Sequence, residues 1–137
     1  MHPVTIVLVE DDPGHARLIE KNIRRAGVNN EISHFVSGTA GLDYLMTNVD
    51  APTLVLLDLN LPDMSGTQIL EKLKSGTPTK HIPIIVLTTT DDKAEVQKCY
   101  DLGCNVYITK PVDYDAFASA IRQLGLFLSV MKVPDPT

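Results

Sequence analysis

Cysteine is scarce in this chain. Cys99 and Cys104 are the only two in 137 residues, too few for a disulfide framework and without partner ligands at zinc spacing. They read as reduced thiols of a cytoplasmic protein. No apolar run approaches the ~18 residues that mark a membrane span. The longest, Val4 to Val9 and Ile82 to Leu87, have strand length. The N-terminus has neither a basic segment nor a small-residue cleavage site, which argues against a signal peptide. Basic side chains number 12 against 17 acidic ones, for a formal charge of −5. That balance points away from a nucleic-acid or anionic-membrane surface. Internal repeats, linkers and low-complexity stretches are missing too. So are the G-x-G-x-x-G and Walker lysine motifs, and Gly38-Thr-Ala-Gly41 is too short and misplaced to replace them.

What is there is alternation. An apolar fraction of 44% with 21% charged residues fits one globular domain with a real core. Strands are predicted at Val4–Val9, Glu31–Val36, Thr53–Leu57, Ile82–Leu87 and Val106–Ile108. Between and after them come helical patterns. The first starts at Asp12-Pro13, an N-cap followed by proline at the first helical position, and stops at Gly27. The second covers Ser37–Met46. The third opens on Ser65 and Gln68, a capping box, and runs through Lys74. The fourth spans Asp92–Leu102 and closes on Gly103. The fifth is capped by Asp113 and runs towards Met131. Strands apolar on both faces need helices on both sides. The predicted architecture is α/β, a doubly wound five-stranded parallel sheet with five helices.

In such a fold ligands bind beyond the carboxyl ends of the strands. The residues there are Glu10, Asp11 and Asp12 after the first strand, Asp58 and Asn60 after the third, Thr88 to Thr90 after the fourth, and Lys110-Pro111 after the fifth. An acidic first turn repels phosphate unless a cation comes first. Converging carboxylates raise one another's pKa, and a hard divalent cation resolves that conflict. Mg2+ suits the set, because it takes one or two carboxylates, keeps waters and completes its shell with phosphate oxygen. Lys110 and Thr88 can neutralise and hold phosphoryl oxygens while a carboxylate attacks. Asp58 ends the apolar run Leu54–Leu57 and is the shielded candidate for nucleophile.

These residues resemble the receiver domain of two-component response regulators. The resemblance spans about Thr5 to Gln123. It rests on Val9-Glu-Asp11, Asp58-Leu-Asn-Leu-Pro62, Gly66, Thr88 and Lys110-Pro111 in order and spacing. It implies a flavodoxin-like receiver fold over residues 1–131 and a phosphoryl group accepted on Asp58 from a sensor histidine kinase. It implies Mg2+ held by Asp11, Asp58 and the backbone carbonyl of Asn60, with Glu10 acting through water. Lys110 and Thr88 then contact the phosphate, and Tyr107 takes the aromatic switch position on a surface of helix 4, strand 5 and helix 5. The Lys110–Pro111 bond is often cis in this family. Thr89 stands where a smaller residue is usual and narrows the path of the hydrolytic water.

The tail 132–137 leaves no room for an output domain, so a partner protein is the expected target. Leu124 to Met131 is apolar nearly all round, more than a sheet-facing stripe requires, and suggests a homodimer through the C-terminal helix. Together with the stretch Ile82–Thr90 it resembles the small regulators paired with bacterial phytochrome kinases. His15 is expected to face solvent, and His2, His34 and His81 form no ligand set. Two other readings share the motifs: a binding module that has lost turnover, and an aspartyl-phosphate phosphatase acting on external substrates. The intact Asp58, Thr88 and Lys110 argue against the first, the short connections against the second.

Overall fold

The computed structural model describes residues 3–131, with side chains through Gln123. The predicted tail and the apolar run from Leu124 therefore lie outside the described side chains. The elements alternate strictly: β1 (Thr5–Val9), α1 (Pro13–Arg25), β2 (Ile32–Phe35), α2 (Gly38–Thr47), β3 (Thr53–Leu57), α3 (Gly66–Ser75), β4 (Ile84–Thr88), α4 (Lys93–Leu102), β5 (Val106–Thr109) and α5 (Tyr114–Met131). The strands form one parallel sheet in the order β2-β1-β3-β4-β5. This is the doubly wound order of flavodoxin-like folds.

Alternation along the central strands divides the core in two. Ile6, Leu8, Leu54, Leu56, Ile85 and Leu87 face α1 and α5, where they meet Ile19, Ile23, Phe117 and Ile121. Val7, Val9, Val55, Leu57, Ile84 and Val86 face the other side and meet Leu45, Ile69, Leu70, Leu73 and Cys99. Every residue of β3 and β4 is buried, as a strand covered on both faces requires. Both cysteines are buried and free.

The helix signals act locally as predicted. Asp12 Oδ1 accepts from His15 N at 3.0 Å, with proline beside it at the start of α1. Ser65 and Gln68 form the reciprocal capping box of α3. Gly103, at φ 109°, ends α4 in the left-handed conformation. Asp113 Oδ2 accepts from Ala116 N at 3.2 Å at the start of α5. Ser37 turns out to be the N-cap of α2 rather than its first residue.

One strand boundary shifts by two residues, and the others by one at most. The fourth strand begins at Ile84, two residues after the predicted Ile82. Ile82 is buried, and its amide bonds to the Thr79 carbonyl at 3.0 Å, which belongs to a turn. Pro83 follows and has no amide to give a ladder.

Candidate functional site

The strand order reverses at β1: the chain leaving β1 enters α1 on one face of the sheet, and the chain leaving its neighbour β3 enters α3 on the other. The crevice between the ends of β1 and β3 holds Glu10, Asp11 and Asp58. One carboxylate oxygen of each lies within 4.8 Å of the others. The backbone forces the convergence: Asp58 N donates to Val9 O at 3.0 Å, which aligns the two strand ends. Glu10 and Asp58 are buried, and Asp11 is exposed at the mouth.

Lys110 closes the crevice from β5. Its backbone amide donates to Thr88 O at 2.7 Å, and its peptide bond to Pro111 is cis. The ammonium donates to Glu10 Oε1 and reaches Asp58 Oδ2 at 3.4 Å. The lysine thus sets a positive charge between two buried carboxylates. Burial still pushes the Glu10 carboxyl above its ordinary value. The Lys110 hydrogen bond and the Asp12 amide, at 3.2 Å from Oε2, offset only part of that push, and the Asp58 charge adds to it.

Asp58 Oδ1 accepts the Asn60 amide at 3.1 Å. Asn60 Nδ2 donates to Thr88 Oγ1 at 3.1 Å and lies 3.4 Å from Thr89 Oγ1. The loop after β3 is therefore tied to the end of β4. An open cleft of about 610 Å3 runs along this loop from Asp11 past Asn60 to Met64 and Ser65. Gly66 makes the tight loop possible: a Cβ there would lie 2.5 Å from Asp58 O and 2.6 Å from Leu59 Cα.

The site fits a divalent cation. Magnesium bonds oxygen at about 2.1 Å, so its ligands stand roughly 3 to 4 Å apart, within reach of small rotations of these carboxylates. The donors are all hard oxygens, and Asp11 at the mouth leaves room for water. Glu10, Asp11, Asp58, Asn60, Thr88 and Lys110 are all brought to this one rim.

Tyr107 stands apart from the rim, on β5. Its hydroxyl donates to Thr90 O at 2.5 Å, and Tyr100 Oη accepts its backbone amide at 3.1 Å. Burial is the main cause that pushes the Tyr107 hydroxyl up to about 12.

Two contacts were not predicted. His15 is exposed, as expected, but its Nδ1 also lies 3.1 Å from Lys110 Nζ and 3.9 Å from Glu10 Oε1. Its place in the first turn of the helix that follows the acidic turn was the available signal. Asp63 accepts from Gly38 N at 2.8 Å and Thr39 N at 2.7 Å, and also from the Thr39 hydroxyl. These bonds, the Thr39 hydroxyl first, hold its carboxyl down at about 2.

The sequence matches the response regulator receiver domain family over residues 6–122. The chain is a response regulator receiver domain. Among solved structures, this receiver is similar to a response regulator receiver domain from Rhodospirillum rubrum, at 62% identity and a TM-score of 0.77, over 96% of this chain and 97% of that one. It is similar to the bacteriophytochrome response regulator RtBRR at 36% identity and a TM-score of 0.81, over 99% of this chain and 86% of the other. It is 34% identical to response regulator Rcp1 of Synechocystis over 113 residues, 79% of this chain and 77% of Rcp1. The Mn(2+)-bound form of Rcp1 superposes with a TM-score of 0.76 at 29% identity, over 96% of this chain and 99% of that one. The receiver is thus related to phytochrome response regulators. Among its described residues, no helix is long and apolar enough to cross a membrane.

Proposed function

We propose that this receiver takes a phosphoryl group on Asp58 from a phosphohistidine of a sensor histidine kinase. The observation that carries the reading is the convergence on one rim of Glu10, Asp11, Asp58, Thr88 and Lys110, with Glu10, Asp58 and Thr88 buried. An Asp58 carboxylate oxygen attacks phosphorus, the P–N bond breaks, and the leaving imidazole nitrogen takes a proton. Asp58 is left as an acyl phosphate. Asp11, Asp58 and the Asn60 carbonyl would hold Mg2+, with Glu10 reaching it through water. The bound cation supplies charge stabilisation at the phosphoryl oxygens. Lys110 turns its ammonium to a second phosphoryl oxygen, and Thr88 exchanges its Asn60 contact for a hydrogen bond to a third. The shielded position of Asp58 limits attack by stray water. The chain catalyses only its own phosphoryl transfer and dephosphorylation.

Phosphorylation adds roughly −1.5 to −2 charges by analogy with hydroxyl phosphates. Thr88 moves towards the new group, and Tyr107 turns into the space behind it, leaving the Thr90 carbonyl. The α4–β5–α5 surface is thereby switched. The similarity to RtBRR and Rcp1 supports a bacteriophytochrome as the kinase, in the cytoplasm. Residues 1–131 form the receiver, residues 132–137 a short tail, and the C-terminal helix region carries a homodimer contact.

Intact mass after incubation with acetyl phosphate tests the chemistry, with and without Mg2+, on wild type and Asp58→Asn. One added phosphoryl group that needs both Mg2+ and Asp58 is expected. No adduct under conditions where the related receivers take one, or an adduct indifferent to Asp58, overturns the assignment.

A further inference from the structure

A lysine ammonium has three N–H donors and no acceptor. That of Lys110 meets three acceptors: Glu10 Oε1, Asp58 Oδ2 at 3.4 Å and His15 Nδ1 at 3.1 Å. The reaction proposed above engages two of them elsewhere. Asp58 becomes an acyl phosphate, and Glu10 turns to the water of the metal. His15 is the acceptor left over. Because lysine only donates, a hydrogen bond between the two makes the Nδ1 of His15 the acceptor. The ring is held by its backbone. His15 N donates to Asp12 Oδ1 at 3.0 Å, and Ala16 N to Asp12 O at 2.9 Å, in the first turn of α1. About half of the side chain, 48%, is exposed at the mouth of the site.

We propose that His15 is a positioning residue for phosphoryl transfer, whose Nδ1 holds the Lys110 ammonium at the mouth of the site, where the phosphoryl oxygens of the donor arrive. The inference rests on the reading of Asp58 as acceptor. A third carboxylate here would hold the lysine as firmly but would cancel the charge that the transition state needs. An imidazole nitrogen that accepts the bond fixes the direction of the ammonium and adds no negative charge. His15 itself touches neither the phosphoryl group nor the carboxylate oxygens of Asp11 and Asp58 in this scheme. It acts through the rotamer of Lys110, a long side chain with much rotational freedom to lose.

The test is the rate of phosphoryl gain, read by intact mass over a range of acetyl phosphate concentrations at saturating Mg2+. Wild type, His15→Ala, His15→Asn and Asp58→Asn are compared. Asparagine sets a side-chain oxygen close to the place of Nδ1. Losing one hydrogen bond to a charged group, discounted for solvent access, lowers the maximal rate of His15→Ala about five- to tenfold. His15→Asn recovers to within about twofold of wild type on the same argument. Mn2+ affinity, read by electron paramagnetic resonance, and the melting temperature stay at wild-type values in both variants. Wild-type rates in His15→Ala overturn the proposal. So does an asparagine variant no better than alanine, or a rate loss matched by weaker Mn2+ binding or a lower melting temperature. An adduct missing from wild type, or persisting in Asp58→Asn, is a different failure: it removes the acceptor reading and this inference with it.

Discussion

Glu10 is buried beside another carboxylate, and the fold holds it there against the preference of the side chain. Its carboxyl is raised above the ordinary value near 4.5, first by burial. A group raised in the folded state favours folding when protonated. Its stabilising effect is full below about 4.5 and is lost as the pH rises through the raised value. Glutamine imitates the protonated form. In metal-free protein, Glu10→Gln is therefore expected to melt above wild type at pH 8, with the difference closing as the pH falls towards 4.5. Thermal unfolding in chelator across that range checks it, and a gap that widens on acidification would sink the account. Saturating the wild type with Mg2+ at a hundred times its Kd adds about 2.7 kcal/mol of stability by mass action. Urea unfolding with and without the ion reads that gain. At this scale the sequence was legible wherever a residue stands just after a strand, because the fold brings strand ends together whatever the side-chain details. Glu10, Asp11, Asp58 and Lys110 follow that rule, and Thr88 is the last residue of β4. His15 did not, since its role depends on one rotamer of Lys110, and no pattern in sequence encodes a rotamer.

The β3–α3 loop shows what separate elements contribute. Gly66 N donates to Leu59 O at 3.0 Å, and Asn60 bridges to Ser65, so the loop folds back tightly over Asp58. Gly66→Ala drives a methyl into backbone on two sides, at 2.5 and 2.6 Å. Backbone cannot yield as a flexible side chain does, and overpacking of this kind costs about 1–3 kcal/mol. The displaced loop carries the Asn60 carbonyl away from the carboxylates. Gly66→Ala is expected to lower the urea midpoint and to weaken Mn2+ binding together, and normal binding in a destabilised variant would separate the loop from the metal site. Gly66 could be picked out beforehand because it belongs to the motif. The clamp from Asp63 to the start of α2 could not, because its partners lie 24 and 25 residues away and only the tertiary fold sets that separation. Gly41 lies inside α2, where glycine is unfavourable, and the structure supplies the reason for it. A Cβ there would lie 2.8 Å from Val9 Cγ2, so glycine lets the helix lie against β1. The late start of β4 has a similar lesson. Apolar runs report burial, and Ile82 is buried in a turn rather than in the strand.

At the scale of the whole molecule, the question is what the last helix covers. In its described part α5 is an ordinary sheet-packing helix. Phe117, Ala120 and Ile121 are buried against the first core cluster, while Arg122 and Gln123 are exposed. With 3.6 residues per turn, positions 124 and 128 continue that stripe, and positions 126 and 130 fall opposite it. The sequence places leucine and valine at those opposite positions. Apolar residues at both sets of positions are more than one sheet-facing stripe requires. A symmetric pair covers the excess without any further partner, since each copy brings the same patch. The full chain is expected to run at twice 15.0 kDa in light scattering at micromolar concentration. Leu126→Glu with Val130→Glu is expected to give the single mass at an unchanged melting temperature, because those positions do not continue the core stripe. A wild type that stays monomeric up to high concentration, with glutamates that lower its melting temperature, would mean that the apolar run wraps its own domain. The proposed kinase would then meet a single receiver rather than a pair.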